Sequence, residues 1–265
     1  MRAADRNEKD DTSAVYERGL KTHSWLVGAA CAFICCAAYA GTPALIDPGI
    51  PHMERSVYRL TREDGSVSTS THLVALSEEN DEKLYLIKTF DKKMLLRRNN
   101  LTPINITKWK KNDAGENTDE VDWEIRYEKD RVHYIFPGPT RNKVEKVDEN
   151  RYDANAIVHT VRGFPFEKKK EVKLTLVTHD HRLGVYFKIV GRELASAPVG
   201  EFDCYKIQAG LSGWKGRIMT KKLYFWVEAE APHRLIRQID EGITDVRLTE
   251  LAEYEVGVDH EEAER

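Results

Sequence analysis

Residues 199–240 decide the fold: VGEFDCYKIQ (199–208), a glycine-containing link, KKLYFWVEAE (221–230), a corner marked by Pro232, and RLIRQID (234–240). Three β-type runs are separated there by turn residues. The middle run carries Leu223, Tyr224, Phe225, Trp226 and Val227 in succession. Successive side chains on a strand point to opposite faces, so both faces of this run need cover. It reads as a central strand with neighbours on either side.

Working outward, the cleanest period-two pattern sets Val121, Trp123, Ile125 and Tyr127 against Asp122, Glu124 and Arg126. One face is buried and the other wet. Lys129 and Asp130 link this run to Val132, Tyr134 and Phe136, so the pair reads as a tight hairpin. Near the start, Arg62, Glu63, Asp64 and Gly65 carry the Asp-Gly signal of another. Further strand-length runs lie at 53–61, 67–76, 83–90, 101–109, 172–178, 183–190 and 244–254. One short helix interrupts them: Asp153 caps a run through Ala154, Ala156, Ile157 and Val161 that stops at Gly163, before Pro165. The expected fold is mainly β, a large and strongly curved antiparallel sheet, half-barrel or open barrel, with one short helix. The expected division is a leader at 1–40, a linker at 41–52, one β domain at 53–258 and a frayed acidic tail at 259–265.

The leader is the uncharged run WLVGAACAFICCAAYA (25–40), preceded by Arg18 and Lys21. It is shorter than the roughly 20 residues of a spanning helix, and Ala38 and Ala40 ahead of Gly41 form a small-x-small cleavage pattern. Export to the periplasm with cleavage after Ala40 is expected; an uncleaved leader would instead be an inner-membrane anchor. Its removal takes equal numbers of cations and acids from a chain of 265 residues with net charge −3. No basic excess remains, which excludes nucleic acid as the expected partner. Cys31, Cys35 and Cys36 leave with the leader, so Cys204 has no cysteine to pair with in the same chain.

The order helix (DANAIVHTVRGFPF), hairpin (KLTLVTHDHRLGVYFKIVG), VGEFDCYKIQAG and KLYFWVEAEAPHRLIRQI resembles a family of bacterial exported proteins catalogued as domain of unknown function 3108. The resemblance runs from Arg151 to about Asp240. It implies a curved antiparallel sheet similar to the LolA/LolB lipoprotein carriers, which hold acyl chains in their concavity. No catalytic residue comes with it.

The remaining candidates have plain readings. His179, Asp180 and His181 are metal-like in composition but fall where a hairpin turn is needed. Cys204, flanked by Asp203 and Tyr205, reads as a small core residue. Lys168, Lys169 and Lys170, like Arg97 and Arg98, read as solvated loops, although anionic headgroups would suit them. Trp214 stands in the flexible GLSGWKG link (210–216). No phosphate loop, nucleophile elbow or zinc-protease motif occurs, so no catalytic residue, metal or cofactor is expected. What remains is a concave wall of Trp123, Tyr127, Tyr134, Phe136, Tyr186, Phe187, Tyr205, Phe225 and Trp226. A curved sheet with so little helical cover leaves such a wall open to a lipid or other apolar ligand. The rival expectation is an envelope protein that receives another polypeptide at its sheet edge or groove. Membrane contact is expected only at the N-terminus, and only if the leader stays.

Overall fold

The computed structural model describes residues 44–138, 142–179, 181–213, 222–241 and 246–257. Leader, cleavage residues Ala38, Ala40 and Gly41, Asp180, Trp214 and the acidic tail lie outside them. The described residues form one sheet of fifteen strands. The first eight are β1 (Glu54–Arg62), β2 (Val67–Glu79), β3 (Glu82–Thr89), β4 (Lys92–Arg97), β5 (Pro103–Lys111), β6 (Asn117–Tyr127), β7 (Arg131–Ile135) and β8 (Lys143–Lys146). After β9 (Arg151–Asp153) comes the helix α1 (Ile157–Thr160), flanked by single 3-10 turns. The rest are β10 (Glu171–Val177), β11 (Arg182–Ala197), β12 (Gly200–Leu211), β13 (Leu223–Glu228), β14 (Leu235–Glu241) and β15 (Val246–Val256).

Each strand pairs with its sequence neighbour, with one break and one addition. β1 pairs with β15, so first and last strands lie side by side in mid-sheet, while β8 and β9 become the two edges. All pairs are antiparallel except β9 with β10. The ladder never closes, yet its edges meet through other groups. The Tyr127 hydroxyl of β6 donates to Asp153 at 2.6 Å, and Arg151 donates to the carbonyls of Lys129 and Asp148 at 2.9 Å. Arg182 of β11 reaches Glu145 of β8 at 3.1 Å. The result is an open barrel whose seam is laced by side chains.

Local chemistry explains the elements. In β6 Trp123, Ile125 and Tyr127 are buried, while Asp122 faces out to Lys108 at 2.7 Å. In the β1–β2 turn Gly65 takes φ +79, which a side chain would resist. Asp153 caps its helical segment by accepting the Asn155 N–H at 2.7 Å. In β13 Phe225 and Val227 are fully buried. Trp226, on the other face, is covered by charged side chains: its indole N–H donates to Glu193 at 2.7 Å, with the Lys206 ammonium 4.8 Å from the ring centre. Both faces of the central strand are covered, one by core and one by cationic stems lying over the ring.

The segment expected to be a linker is part of the core. Leu45 and Ile50 are fully buried, and Ile46 N–H donates to the Gly163 carbonyl at 2.8 Å. A Cβ on Gly163 would sit 2.5 Å from that Ile46 carbonyl, so only glycine lets the two segments pass. The Tyr85 hydroxyl accepts from Ile50 N–H at 3.0 Å and donates to Asp47, which also pairs with Arg98 at 2.8 Å. Leu45→Ala is therefore expected to destabilise the protein by about 2–5 kcal/mol in urea unfolding. A loosely attached linker would instead change stability by less than about 0.5 kcal/mol.

Candidate functional site

The inside of the barrel was the expected site, and the protein fills it. Leu45 and Ile50 from the N-terminal segment join Tyr152, Ala156, Val161 and Phe164 from the segment around α1. Together they continue the cluster formed by Tyr85, Ile106, Val132 and Ile207 of the wall. These two segments act as a plug.

The nine aromatics expected to line an open groove therefore part company. Trp123, Tyr127, Tyr134, Phe187 and Phe225 meet in the interior as core, and Phe136 packs partly buried at its margin. Tyr205 stacks on Phe166 at 4.6 Å, with the Arg192 guanidinium 5.3 Å from its ring. Tyr186 stands on the outside among Lys173, Lys188 and Gln208. Tyr186 and Phe187 are neighbours on one strand, as are Phe225 and Trp226, so neither pair can line one wall. Arg97 and Arg98 are not a solvated loop: Arg97 ends β4 and pairs with Glu82 at 2.8 Å, and Arg98 pairs with Asp47 at 2.8 Å. The turn at Thr178 to His181 closes with an N–H···O=C bond of 2.9 Å, and His179 stacks on Trp123. Burial pushes the Cys204 thiol up to about 12, which leaves it protonated and inert. Among the described residues no three His, Cys, Asp or Glu side chains group as metal ligands, and no helix is long and apolar enough to cross a membrane.

What sequence reading missed is how the plug is tied. Glu54 of β1 and Arg162 pair bidentately at 2.5 and 2.9 Å, both almost fully buried. Tyr254 of β15 donates to the same carboxylate at 3.0 Å, and Arg162 also donates to the Pro232 carbonyl at 3.2 Å. Nearby, His72 Nδ1 of β2 lies 3.0 Å from His159 Nε2 of α1, and Ser70 Oγ lies 3.1 Å from His72 Nε2. Asp153, with the carboxyl raised by burial, receives the Tyr127 hydroxyl. Each tie joins the plug segment to a strand distant in sequence.

The hydroxyl–imidazole–imidazole chain resembles a nucleophile relay, but its electrostatics serve another end. Burial, then Lys92, holds His72 down to about 4, and burial with His72 and Arg162 holds His159 further below its ordinary range. A base that weak takes a hydroxyl proton poorly near neutrality. The same numbers fix a pH dependence. Unfolded histidine binds its proton near 6.5, whereas folded His72 refuses it down to about 4. The neutral pair's contribution is complete above about 6.5 and falls away as pH drops towards about 4. For His72 alone this amounts to about 3 kcal/mol. Urea midpoints measured across that window should fall steeply for the wild type and more gently for His72→Gln. Parallel curves would show that the pair does not titrate in this way.

The sheet also offers edges. The ladder from β11 to β10 ends at Lys188, with one further bond from Ile189 N–H to the Lys170 carbonyl. Beyond it, among the described residues, Gly191 to Ala197 pair only with β12. Leu194 there is 66% exposed, and Val144 on the edge strand β8 is 55% exposed.

Three solved structures are similar to this chain, each over about four fifths of it. A β-barrel-like protein of domain of unknown function 1849 from Brucella abortus shares 8% identity at a TM-score of 0.47, covering 79% of this chain and all of its own. A protein from Bacteroides fragilis described as exported, with a YmcC-like fold, shares 12% at 0.34, covering 80% and 99%. A LolA superfamily protein from Nitrosomonas europaea shares 8% at 0.29, covering 80% and 89%. No curated protein matches the sequence. The family match begins at residue 94 in β4, well before the resemblance noted from Arg151, and ends at 249 in β15. Spanning more than half of the sequence, it places this chain in the family described as "Protein of unknown function (DUF3108)".

Proposed function

We propose that this chain is an exported, non-enzymatic protein of the cell envelope that works through its surface and receives another polypeptide at an edge of its sheet. The observation that carries this reading is the filled interior: Leu45, Ile50, Tyr152 and Phe164 occupy the hollow that a carrier would leave for its cargo. Export rests on the apolar run 25–40 and its small-residue ending. The edge reading rests on Gly191 to Ala197, where a guest strand would continue the line that β10 leaves at Lys170. Main-chain hydrogen bonds would supply the affinity, and exposed Leu194 a side-chain anchor.

One observation favours a second reading, in which an apolar ligand or lipid enters the barrel. The filling is two short segments, not the wall itself, and each is held partly by polar ties that water can compete for. A ligand that lifted the plug would find the buried faces of Trp123, Tyr134, Phe187 and Phe225 beneath it.

Two measurements separate the readings. Native mass spectrometry of protein purified without detergent should give a clean apo mass, before and after incubation with phospholipid. A retained lipid mass would overturn the surface reading in favour of the carrier. A photo-crosslinker at Leu194 should capture one envelope polypeptide repeatedly, whereas the same group at exposed Val67, on β2, should not. Indiscriminate capture at both positions would sink the edge.

A further inference from the structure

We propose that the outer face of β10, β11 and β12, with Lys168, Lys169 and Lys170 at its margin, docks on a membrane surface bearing anionic lipid headgroups. This goes beyond the reading above and shares only Lys170 with it. The register pairs Glu171 with Lys188, Lys173 with Tyr186, Lys188 with Gln208 and Tyr186 with Gly210. Directly paired residues share a face, so these side chains form one outward surface, while Val172, Leu174, Phe187 and Ala209 turn into the core.

The surface carries a local excess of cations on an acidic chain. Lys168, Lys169, Lys170 and Lys188 are exposed, and none has an ion-pair partner among the described residues. Lys173 is 75% exposed and only 4.0 Å from Glu171. Glu167 and Glu171 flank the lysine run in sequence, and farther along β11 and β12 Glu193 and Asp203 are paired with Lys206 and Arg192. Several cations elsewhere on the outer sheet are neutralised across strands: Arg59 with Glu250 at 2.8 Å, Lys108 with Asp122 at 2.7 Å, Lys110 with Glu120 at 2.6 Å. A run of exposed lysines outnumbering the acids among them gives this face a local positive field.

The shape and apolar content fit a bilayer better than an acidic protein. The Tyr186 ring lies close over Gly210, where a Cβ would stand 2.7 Å from its hydroxyl, and Gln208 fixes that hydroxyl with a 2.7 Å bond. The ring forms a low platform instead of a projecting peg. Val190, at the β11 bulge next to Lys188, is 44% exposed. Tyrosine, valine and a set of lysines without arginine suit a headgroup layer, whose lipids rearrange around mobile ammonium groups. A fixed carboxylate or phosphate partner favours the arginine fork instead.

Vesicle flotation of the full chain tests this. The vesicles are phosphatidylcholine alone, or phosphatidylcholine with about a third phosphatidylglycerol. The apolar run 25–40 would bind both alike, so the difference between them isolates charge. Binding should favour the anionic vesicles and weaken at least about tenfold in Lys168, Lys169, Lys170, Lys188→Gln. It should also fade at about 0.5 M salt. A control replacing exposed Arg62, Lys83 and Lys93 by Gln should bind like the wild type. Unchanged melting curves for both variants would show that the fold is intact. Equal binding to the two vesicle types, or an undiminished quadruple variant, would overturn the proposal. So would binding to polyglutamate without binding to vesicles, which would point to an acidic polypeptide.

Discussion

The structure depends on one buried ion pair, Glu54 with Arg162. Its members are 108 residues apart, and the carboxylate and guanidinium together touch β1, the end of the plug, Tyr254 of β15 and the Pro232 turn before β14. Desolvating two charges costs several kcal/mol each, and their attraction offsets this only when every remaining lone pair and N–H is satisfied. Here the carboxylate accepts from Arg162 twice and from Tyr254, and the guanidinium adds a backbone carbonyl. The pair's value lies in where it holds things. It joins the first strand to the last at the place where the ladder turns back on itself, and fastens the plug to both.

A ribbon of fifteen strands curls because each strand twists, and a curled ribbon that fails to close by backbone pairing must be held by something else. Side chains do this at the seam, and the plug does it inside. The seam residues Arg151, Arg182 and Tyr127 donate to carbonyls or carboxylates across the gap between β8 and β9. The residues linking those two edge strands are few, so covalent continuity keeps the gap narrow. The buried residues of the plug stand where curvature alone implied an open wall.

The local rules were legible in the sequence. The alternation of β6, the Asp-Gly turn after β1, the Asp153 cap and the stop at Gly163 all follow from interactions within a few residues. The crowded middle strand was legible too, although not what covered its second face. Most of the errors share one cause, which is that contact at long range has no local signature. Leu45 and Ile50 look like a proline-marked lead, because nothing beside them says that Tyr85 and Gly163 will receive them. His72 and His159 lie 87 residues apart, and neither stands out in its own strand or helix. The aromatic wall failed differently. Alternation alone separates Tyr186 from Phe187 and Phe225 from Trp226, so that part was readable and needed the strand's period applied residue by residue.

The same long-range polar ties bear on how such a barrel can work. An interior filled only by apolar packing would resist opening until the whole fold unfolded, since each buried methylene contributes alike wherever it sits. An interior whose plug is tied by an imidazole pair, a carboxylate–phenol bond and one ion pair is different. These contacts are few, discrete and exchangeable for water. All three join the plug to strands of the first half of the chain, β1, β2 and β6. Local opening draws on regions where a small number of contacts carry most of the attachment. The plug is held by buried apolar contacts as well as by these ties, whereas the wall is held by ladder bonds along its length. The fold thus combines an outer ribbon held by ladder bonds with an inner element fastened to it by core packing and three discrete polar ties.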